Sequence, residues 1–341
     1  MTVDATTDRT FPLGEFVTAK GEVIEQAELR YRVLGDPDAA RDNGWVLVFH
    51  ALTGSADVEA WWGPLIGPGR ALDTSRQAIL AANLLGSCYG STGPREWATR
   101  RGGAFPELTP VDLALAHEPL LDALAVERVS LAAGGSLGGM VALEWGRRTS
   151  RQVDRLAVFA APAVTSPQAI AWNAAQRMAL EADPGWRDGH YYPAPGPSAG
   201  LAAARAIAMI TYRASREFDL RFGRASSRRP GAFDIETYLR RQGEKLVERF
   251  DAGSYAALMR AMDLHDVGDL AGAARQTAQR VRQVIGIGID SDILYAASEI
   301  RAWVDAYAPH VDARYEEITS VCGHDAFLIE FDQVVRILAT P

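Results

Sequence analysis

The fold is decided by the stretch Val129-Ser130-Leu131-Ala132-Ala133-Gly134-Gly135-Ser136-Leu137-Gly138-Gly139. Its first five residues predict a short buried strand, and a helix is predicted to begin at about Gly139. Between them lies a G-x-S-x-G motif, which is typical of a sharp strand-to-helix turn that lifts one side chain above a sheet. Glycines on either side of the serine leave room where neighbouring backbone comes too close for a Cβ. The motif therefore predicts that Ser136 is a nucleophile.

Two other interpretations of these glycines are a structural turn without chemistry and a dinucleotide-binding loop. A dinucleotide-binding loop needs the pattern G-x-G-x-x-G, and the stretch G-G-S-L-G-G misses it at the third position. The strand before Ser136 and the helix after it favour the nucleophile, because that context is what the turn requires.

Short apolar runs alternate with helical stretches along the chain and predict a mostly parallel sheet. Nearly continuous apolar runs bounded by turn residues are typical of strands that are buried on both faces. Their alternation with helices, such as those predicted at residues 112–124 and 139–148, is the pattern of an α/β fold. A loosely alternating segment, residues 21–35, predicts an edge hairpin. The predicted core strands are residues 45–49, 78–82, 129–133, 156–160, 283–289 and 314–318.

The residues between the fourth and fifth core strands have a different character. They contain several predicted helices separated by Gly- and Pro-rich breaks, and they are too many for one connection between a strand and a helix. We therefore expect a single α/β core that carries a helical lid. The predicted boundaries are a flexible N-terminus at residues 1–10, a core at residues 11–163 and 276–341, and a lid at residues 164–275.

A histidine base is required because a serine hydroxyl is a weak nucleophile at neutral pH. In folds that use this turn, the chain order is serine, then acid, then histidine. Of the six histidines, His265, His310 and His324 come late enough. His324 lies in a glycine-containing loop after the last predicted strand, where the carboxyl edge of the sheet would present a base. His310 precedes that strand and His265 belongs to the lid, so His324 is the predicted base.

Two aspartates are candidates for the acid that holds the base. Asp290 and Asp292 both follow the predicted strand at residues 283–289, and either could reach His324. A residue in the loop after the strand is favoured over one at its end, which favours Asp292 only mildly.

The loop after the first core strand, Phe49-His50-Ala51-Leu52-Thr53-Gly54, is expected to supply part of an oxyanion hole. Backbone N–H groups of this loop and of the residue after the nucleophile are the usual donors. We therefore predict the N–H groups of Leu52 and Leu137 as the pair. His50 precedes the serine and ends a strand, so its predicted role is to support the loop through hydrogen bonds.

Composition and charge exclude several classes of protein. A net charge of −8 argues against a nucleic-acid surface, which would show a basic excess. Two cysteines cannot form a disulfide framework, so a reducing compartment is expected. Neither a signal peptide nor a membrane span is predicted, because the N-terminus is polar and no apolar run is long enough. The chain is expected to be cytoplasmic, with no nucleic-acid or membrane partner.

Six segments, taken together and in this order, resemble the homoserine O-acetyltransferase family. The resemblance runs from about Phe11 to the C-terminus, and its most specific segments are those at residues 49–54, 83–94 and 323–328. The segments are FHALTG at 49–54, NLLGSCYGSTGP at 83–94, GGSLGGM at 134–140, MDLHDVG at 262–268, SDILY at 291–295 and GHDAFL at 323–328.

The resemblance implies an α/β-hydrolase fold with a mostly parallel sheet and a helical lid, and a homodimer. It implies transfer of an acetyl group from acetyl-CoA, as co-substrate, to the side-chain hydroxyl of L-homoserine through an acyl-serine, with no bound cofactor and no metal. It implies that Asp292 is the acid of the triad. It also suggests that Arg213 holds the substrate α-carboxylate and that Asp325 accepts from the α-ammonium. The alternatives are a homoserine or serine O-succinyltransferase, a serine O-acetyltransferase and a serine esterase.

Overall fold

One sheet of eight strands forms the centre of the protein, which a computed structural model describes over residues 8–100, 102, 104–228 and 231–339. The strands are β1 (Arg9–Val17), β2 (Val23–Gly35), β3 (Trp45–Phe49), β4 (Ala78–Ala82), β5 (Arg128–Gly135), β6 (Gln152–Phe159), β7 (Val281–Ile289) and β8 (Asp312–Ile318). They lie side by side in the order β1-β2-β4-β3-β5-β6-β7-β8. The pairs β1–β2 and β2–β4 are antiparallel, and the strands from β4 to β8 are parallel. The predicted α/β-hydrolase architecture with a mostly parallel sheet is confirmed.

The six predicted core strands coincide with β3 to β8, with ends moved by a few residues. The predicted edge hairpin is present, but residues 21–35 hold only its second strand, β2. Its partner β1 begins at Arg9, so the last two residues of the segment that we predicted to be flexible are paired with β2. The Asp8 carboxylate forms ion pairs with Arg30 and Arg32 of β2, a contact between distant residues that the sequence does not reveal. Residues 1–7 lie outside the described residues.

Both faces of the sheet are covered, as the continuous apolar strands predict. Along β3, Leu47 and Phe49 point into one buried cluster, whereas Val46 and Val48 point into the other. Successive side chains of a strand face opposite sides of the sheet, so an all-apolar strand requires two cores.

Fourteen helices surround the sheet within the described residues. Those before β6 are α1 (Ala40–Asn43), α2 (Glu59–Trp62), α3 (Pro94–Arg100), α4 (Pro110–Leu115), α5 (Glu118–Ala123) and α6 (Leu137–Gly146). Those between β6 and β7 are α7 (Pro167–Glu181), α8 (Ser198–Tyr212), α9 (Ser215–Arg221), α10 (Asp234–Val247), α11 (Ala252–Asp263) and α12 (Leu270–Thr277). The last two are α13 (Ala297–Tyr307) and α14 (Phe331–Ala339). None of the helices described is both long and apolar enough to cross a bilayer.

The segment between β6 and β7, which we call the helical insertion (residues 160–280), contains six of these helices. Helix α8 packs between α7 and α10, and α11 packs against α7 and against α3 of the core. Of these helices, α9 and α12 were not predicted because both are short. Outside the insertion, the helix expected at residues 112–124 is split into α4 and α5, since Pro119 has no N–H to continue the hydrogen-bond ladder.

Ser136 occupies a turn between β5 and α6 whose backbone is strained. Its φ and ψ are 56° and −125°, a backbone conformation that residues other than glycine rarely adopt. A Cβ at Gly134 would lie 2.2 Å from the carbonyl oxygen of Gly138, and one at Gly138 would lie 2.2 Å from that of Phe49. The two glycines therefore let α6 start directly against β3 and β5, which fixes Ser136 above the sheet.

Replacing Gly138 by alanine is expected to destabilise the protein by about 2 kcal/mol or more, because the new methyl group would overlap a backbone atom that cannot move alone. The matched control is Gly63→Ala, where a Cβ meets nothing within 4 Å. Urea unfolding of the two variants measures the difference. Equal unfolding midpoints for Gly138→Ala and Gly63→Ala would contradict this account of the turn.

Candidate active site

Loops that follow four parallel strands meet at one edge of the sheet and hold the residues predicted to carry the chemistry. Leu52 follows β3, Ser136 follows β5, Asp292 follows β7 and His324 follows β8. Parallel strands end at the same edge, which is where open α/β sheets bind their ligands. Residues far apart in the sequence are thereby brought together.

His324 and Asp292 form a buried hydrogen-bonded pair. The distance between His324 Nδ1 and Asp292 Oδ2 is 2.6 Å. The other carboxylate oxygen, Oδ1, accepts from the N–H groups of Leu294 at 2.8 Å and Tyr295 at 3.1 Å. With its two oxygens held in this way, the carboxylate fixes the imidazole orientation and places the proton on Nδ1. The ring nitrogen Nε2 is left as the acceptor.

The environment of His324 makes its imidazole more basic. Burial disfavours the imidazolium, but the Asp292 carboxylate, through its charge and its hydrogen bond, and the charge of Asp325 outweigh burial and raise the pKa above its ordinary value of 6.5. The Nε2 atom is buried and has no hydrogen-bond partner among the described residues. This free basic nitrogen and the Ser136 side chain line the same cavity, so it can take a proton from a reacting hydroxyl.

The competing candidates lie in other surroundings. Asp290 Oδ1 accepts from the N–H of Ser320 at 3.0 Å, which ties the loops after β7 and β8 together. His265 is buried beside the Pro162 carbonyl, with Nε2 at 3.0 Å from that oxygen, and burial lowers its pKa to about 4. His310 is exposed in the turn before β8.

The amides of Leu52 and Leu137 are unoccupied donors. Leu137 is the first residue of α6, and neither its N–H nor that of Leu52 donates to a protein acceptor in the part of the chain that the structure describes. Free N–H groups at the start of a helix carry a positive partial charge. The Leu137 N–H at the start of α6, and the Leu52 N–H in a loop that lines the same cavity as Ser136, can therefore donate hydrogen bonds to a developing oxyanion.

His50 holds the loop that carries Leu52. Its Nε2 accepts from the N–H of Leu84 at 2.9 Å, and its Nδ1 lies 2.8 Å from the carbonyl oxygen of Ala51. Burial lowers the pKa of His50 to about 4, so the ring is neutral, with its proton on Nδ1. The ring thus joins the loop after β3 to the loop after β4.

A cavity of about 580 Å³ opens above these residues. Ser136 and His324 lie in its wall and are nearly inaccessible to solvent. The rings of Tyr212 and Tyr295 pack around the imidazole, with centroids 5.7 and 5.3 Å from its own. The reacting groups are therefore nearly buried in the wall of a cavity large enough for a small organic substrate.

Arg213 and Asp325 are paired with each other. Arg213 Nη2 lies 3.1 Å from Asp325 Oδ2, and Nη1 lies 3.2 Å from Glu217 Oε1. Burial lowers the pKa of the guanidinium, but the Asp325 and Glu217 carboxylates outweigh it and raise that pKa. Asp325 lines the cavity, whereas Arg213 reaches the cavity only through its bond to Asp325.

Two arginines of the helical insertion line the cavity although nothing in the sequence singled them out. The Arg205 guanidinium lies 5.4 Å from the ring centroid of Tyr212 and has no carboxylate partner among the described residues. Arg249 donates to Thr53 and Tyr89. Charged residues of a helical segment are usually solvated, so only the tertiary structure identifies these two.

The alpha/beta hydrolase fold family model matches residues 44–331. A homoserine O-acetyltransferase of Moorella thermoacetica is 43% identical over 93% of this chain and 91% of its own length. A homoserine O-acetyltransferase of Thermus thermophilus is 44% identical over 96% of this chain and 89% of its own length.

Solved structures share the fold. The homoserine O-acetyltransferase of Staphylococcus aureus superposes with a TM-score of 0.79 at 28% identity, covering 97% of this chain and 94% of the other. Esterase E22 superposes with a TM-score of 0.86 at 20% identity, covering 97% and 99%, and shows the fold alone.

The rate at which Ser136 reacts with p-nitrophenyl acetate is expected to fall below the raised pKa of His324, because the base acts only when Nε2 is unprotonated. Asp325→Asn removes one of the charges that raise this pKa. The acidic limb of the pH–rate profile should therefore move to lower pH, and stopped-flow release of p-nitrophenolate measures it. A limb that stays in place or moves to higher pH would show that Asp325 does not act on His324.

Proposed function

This chain belongs to the homoserine O-acetyltransferase family of α/β-hydrolase-fold enzymes, and on that premise we propose that it transfers an acetyl group from acetyl-CoA to the side-chain hydroxyl of L-homoserine. The observation that supports this reaction most directly is the buried His324–Asp292 bond at 2.6 Å, with Nε2 free and lining one cavity with Ser136. We assign Ser136 as nucleophile, His324 as base and Asp292 as the group that orients the base.

In the first half-reaction, the Ser136 hydroxyl attacks the carbonyl carbon of the thioester while its proton passes to His324 Nε2. The N–H groups of Leu52 and Leu137 donate hydrogen bonds to the oxyanion, a contribution of roughly 3 kcal/mol per donor in enzymes with such a hole. The carbon–sulfur bond then breaks, and the CoA thiolate takes the proton from His324. Asp292 stabilises the imidazolium between these two transfers.

In the second half-reaction, the hydroxyl of homoserine gives its proton to His324 Nε2 and attacks the carbonyl carbon of acetyl-Ser136. The same two amide N–H groups donate to the second oxyanion. Its collapse breaks the bond to Ser136 Oγ, which takes the proton back from His324. Water would follow the same route, so the enclosed position of Ser136 and His324 favours transfer over hydrolysis.

The Arg213–Asp325 ion pair is suited to a zwitterionic acceptor. An α-carboxylate that bonds Arg213 and an α-ammonium that bonds Asp325 would replace one ion pair by two without changing the net charge of the site. A guanidinium fork can bond both oxygens of a carboxylate. Glu217 keeps a hold on Arg213 during the exchange.

The remaining features of the proposal follow from the family. Acetyl-CoA is a co-substrate and no cofactor or metal is needed, because the acyl group passes through Ser136. We propose that the enzyme is a homodimer in the cytoplasm and that the helical insertion acts as the lid.

The deciding assay measures CoA release from acetyl-CoA with homoserine, serine or water as acceptor, and with succinyl-CoA as the alternative donor. We expect release from acetyl-CoA that depends on homoserine, together with an acetyl adduct on the intact protein by mass spectrometry. Ser136→Ala should abolish both, since the covalent carrier is lost. CoA release that is equally fast without any amino acid would indicate a hydrolase, and an adduct that persists in Ser136→Ala would disprove the assigned nucleophile.

Arg213→Lys is expected to raise the KM for homoserine about 10- to 100-fold, because an ammonium cannot form the two charge-assisted bonds of the fork. Acylation by acetyl-CoA should be nearly unchanged. Arg205→Ala is the comparison, since Arg205 itself lines the cavity and has no carboxylate partner among the described residues. If the KM for homoserine rises with Arg205→Ala and not with Arg213→Lys, then Arg205 holds the carboxylate.

A further inference from the structure

Arg249 joins the helical insertion to the loop that carries Leu52. It lies between α10 and α11, and its Nη1 donates to the carbonyl oxygen of Thr53 and to the hydroxyl of Tyr89, both at 2.8 Å. Its Nη2 lies 3.3 Å from Thr53 Oγ1. The Thr53 carbonyl belongs to the Thr53–Gly54 peptide group, whose N–H donates to the carbonyl oxygen of Ala51 at 2.9 Å, and that oxygen is part of the same peptide group as the Leu52 N–H.

The residues after Arg249 fasten the same part of the insertion to the core. The ring of Phe250 packs edge-on against that of Tyr89, at 5.6 Å between centroids. Asp251 pairs with Arg95 of α3 at 3.2 Å and caps the start of α11. Because Phe250 and Asp251 are anchored to the core, the Arg249 side chain reaches the loop from a backbone that is held in place.

Besides its internal turn bond from the Gly54 N–H to the Ala51 carbonyl, the loop is held by the core near its two ends. His50, at the start of the loop, is held by the N–H of Leu84. At the far end, the N–H of Ala56 donates to Asn83 Oδ1 at 2.6 Å. Thr53 lies between these two anchors, and its carbonyl oxygen and hydroxyl are both bonded by Arg249.

Arg249 donates its hydrogen bonds to neutral oxygens, so these bonds fix the position of the loop and do not neutralise a charge. Within the described part of the chain, Arg249 has no carboxylate within ion-pair distance. A guanidinium presents its donors in a rigid plane, so bonds to one carbonyl and one hydroxyl fix the direction of that carbonyl. The direction of the Thr53 carbonyl and the placement of Leu52 are linked through the shared backbone.

We propose that Arg249 is a positioning residue that sets the Leu52 N–H in the oxyanion hole and so makes the hole depend on the docked insertion. This inference rests on the proposed acyl-transfer function and adds a residue to it. An oxyanion forms in both half-reactions, so the loss of Arg249 slows both by the same factor. The factor by which the rates fall should be the same whether the leaving group of the acyl donor is CoA or p-nitrophenolate.

The test compares Arg249→Ala with the unchanged enzyme in single-turnover acylation and deacylation, using acetyl-CoA and p-nitrophenyl acetate in parallel. We expect each rate to fall about tenfold, less than the roughly 10²- to 10³-fold cost of losing an oxyanion donor. The KM for homoserine should change by no more than about twofold, because the variant keeps the contacts that bind homoserine in the ground state. Arg249→Lys should recover part of the rate, because an ammonium can still donate to the Thr53 carbonyl.

A second readout separates positioning from a general loss of structure. A trifluoromethyl ketone forms a tetrahedral adduct with Ser136 whose oxyanion fills the hole, so its affinity should fall by the same factor as the rates. Arg241→Ala is the matched control, because Arg241 is an exposed arginine on α10 whose variant should behave as the unchanged enzyme.

Three results would overturn the proposal. Slower acylation by acetyl-CoA alone would make Arg249 a contact for the phosphates of the donor. A rise in the KM for homoserine alone would make it an acceptor contact. Slower rates with an unchanged affinity for the ketone would show that the hole is intact. Failure of the acyl-transfer function would appear separately, as homoserine-independent CoA release by the unchanged enzyme, while acylation by p-nitrophenyl acetate would still report on Arg249.

Discussion

The close approach of the β5–α6 turn to the backbone of β3 is the constraint on which the rest of the site depends. Gly134 and Gly138 face carbonyl oxygens at distances that exclude any side chain, and Ser136 between them is held at a positive φ. Backbone strain of this kind persists only where contacts with the surrounding structure hold the residue in place. Here the sheet does so, since the Ser136 N–H donates to the Phe159 carbonyl of β6 at 2.9 Å. One turn thereby aims the nucleophile, frees the Leu137 amide and starts the helix whose dipole favours an anion.

Charge around the nucleophile is arranged in two layers. The inner layer is the His324–Asp292 pair, in which the carboxylate offsets the cost of burying a charged imidazole. The outer layer comes from the helical insertion and consists of guanidinium groups. Arg213 is neutralised by carboxylates, whereas Arg249 bonds neutral oxygens. The ion pairs of Arg213 can be exchanged for ion pairs with a charged substrate, whereas the bonds of Arg249 hold a loop in place.

Much of the core could be predicted because its signals are local. The apolar strands and the turn at Ser136 each follow from residues close together in the sequence. Strand β1 was not predicted because its apolar alternation is interrupted: Phe11, Leu13 and Phe16 pack against the core, but the pairing with β2 shifts register between Pro12 and Phe16. The split between α4 and α5 has a local cause in Pro119. The prediction missed it because it gave more weight to the helical periodicity of the segment than to the proline.

The sequence by itself determined the fold class, the nucleophile turn and the short set of histidines and aspartates that could serve it, because turn geometry and strand burial constrain residue types locally. The choice of partner atoms needed the tertiary structure. Asp290 and Asp292 are two residues apart in one loop, and only the three-dimensional path of that loop sends one to Ser320 and the other to His324. The same holds for Arg249 and Thr53, which are separated by 196 positions and joined by one guanidinium, since no local pattern encodes a contact between distant segments.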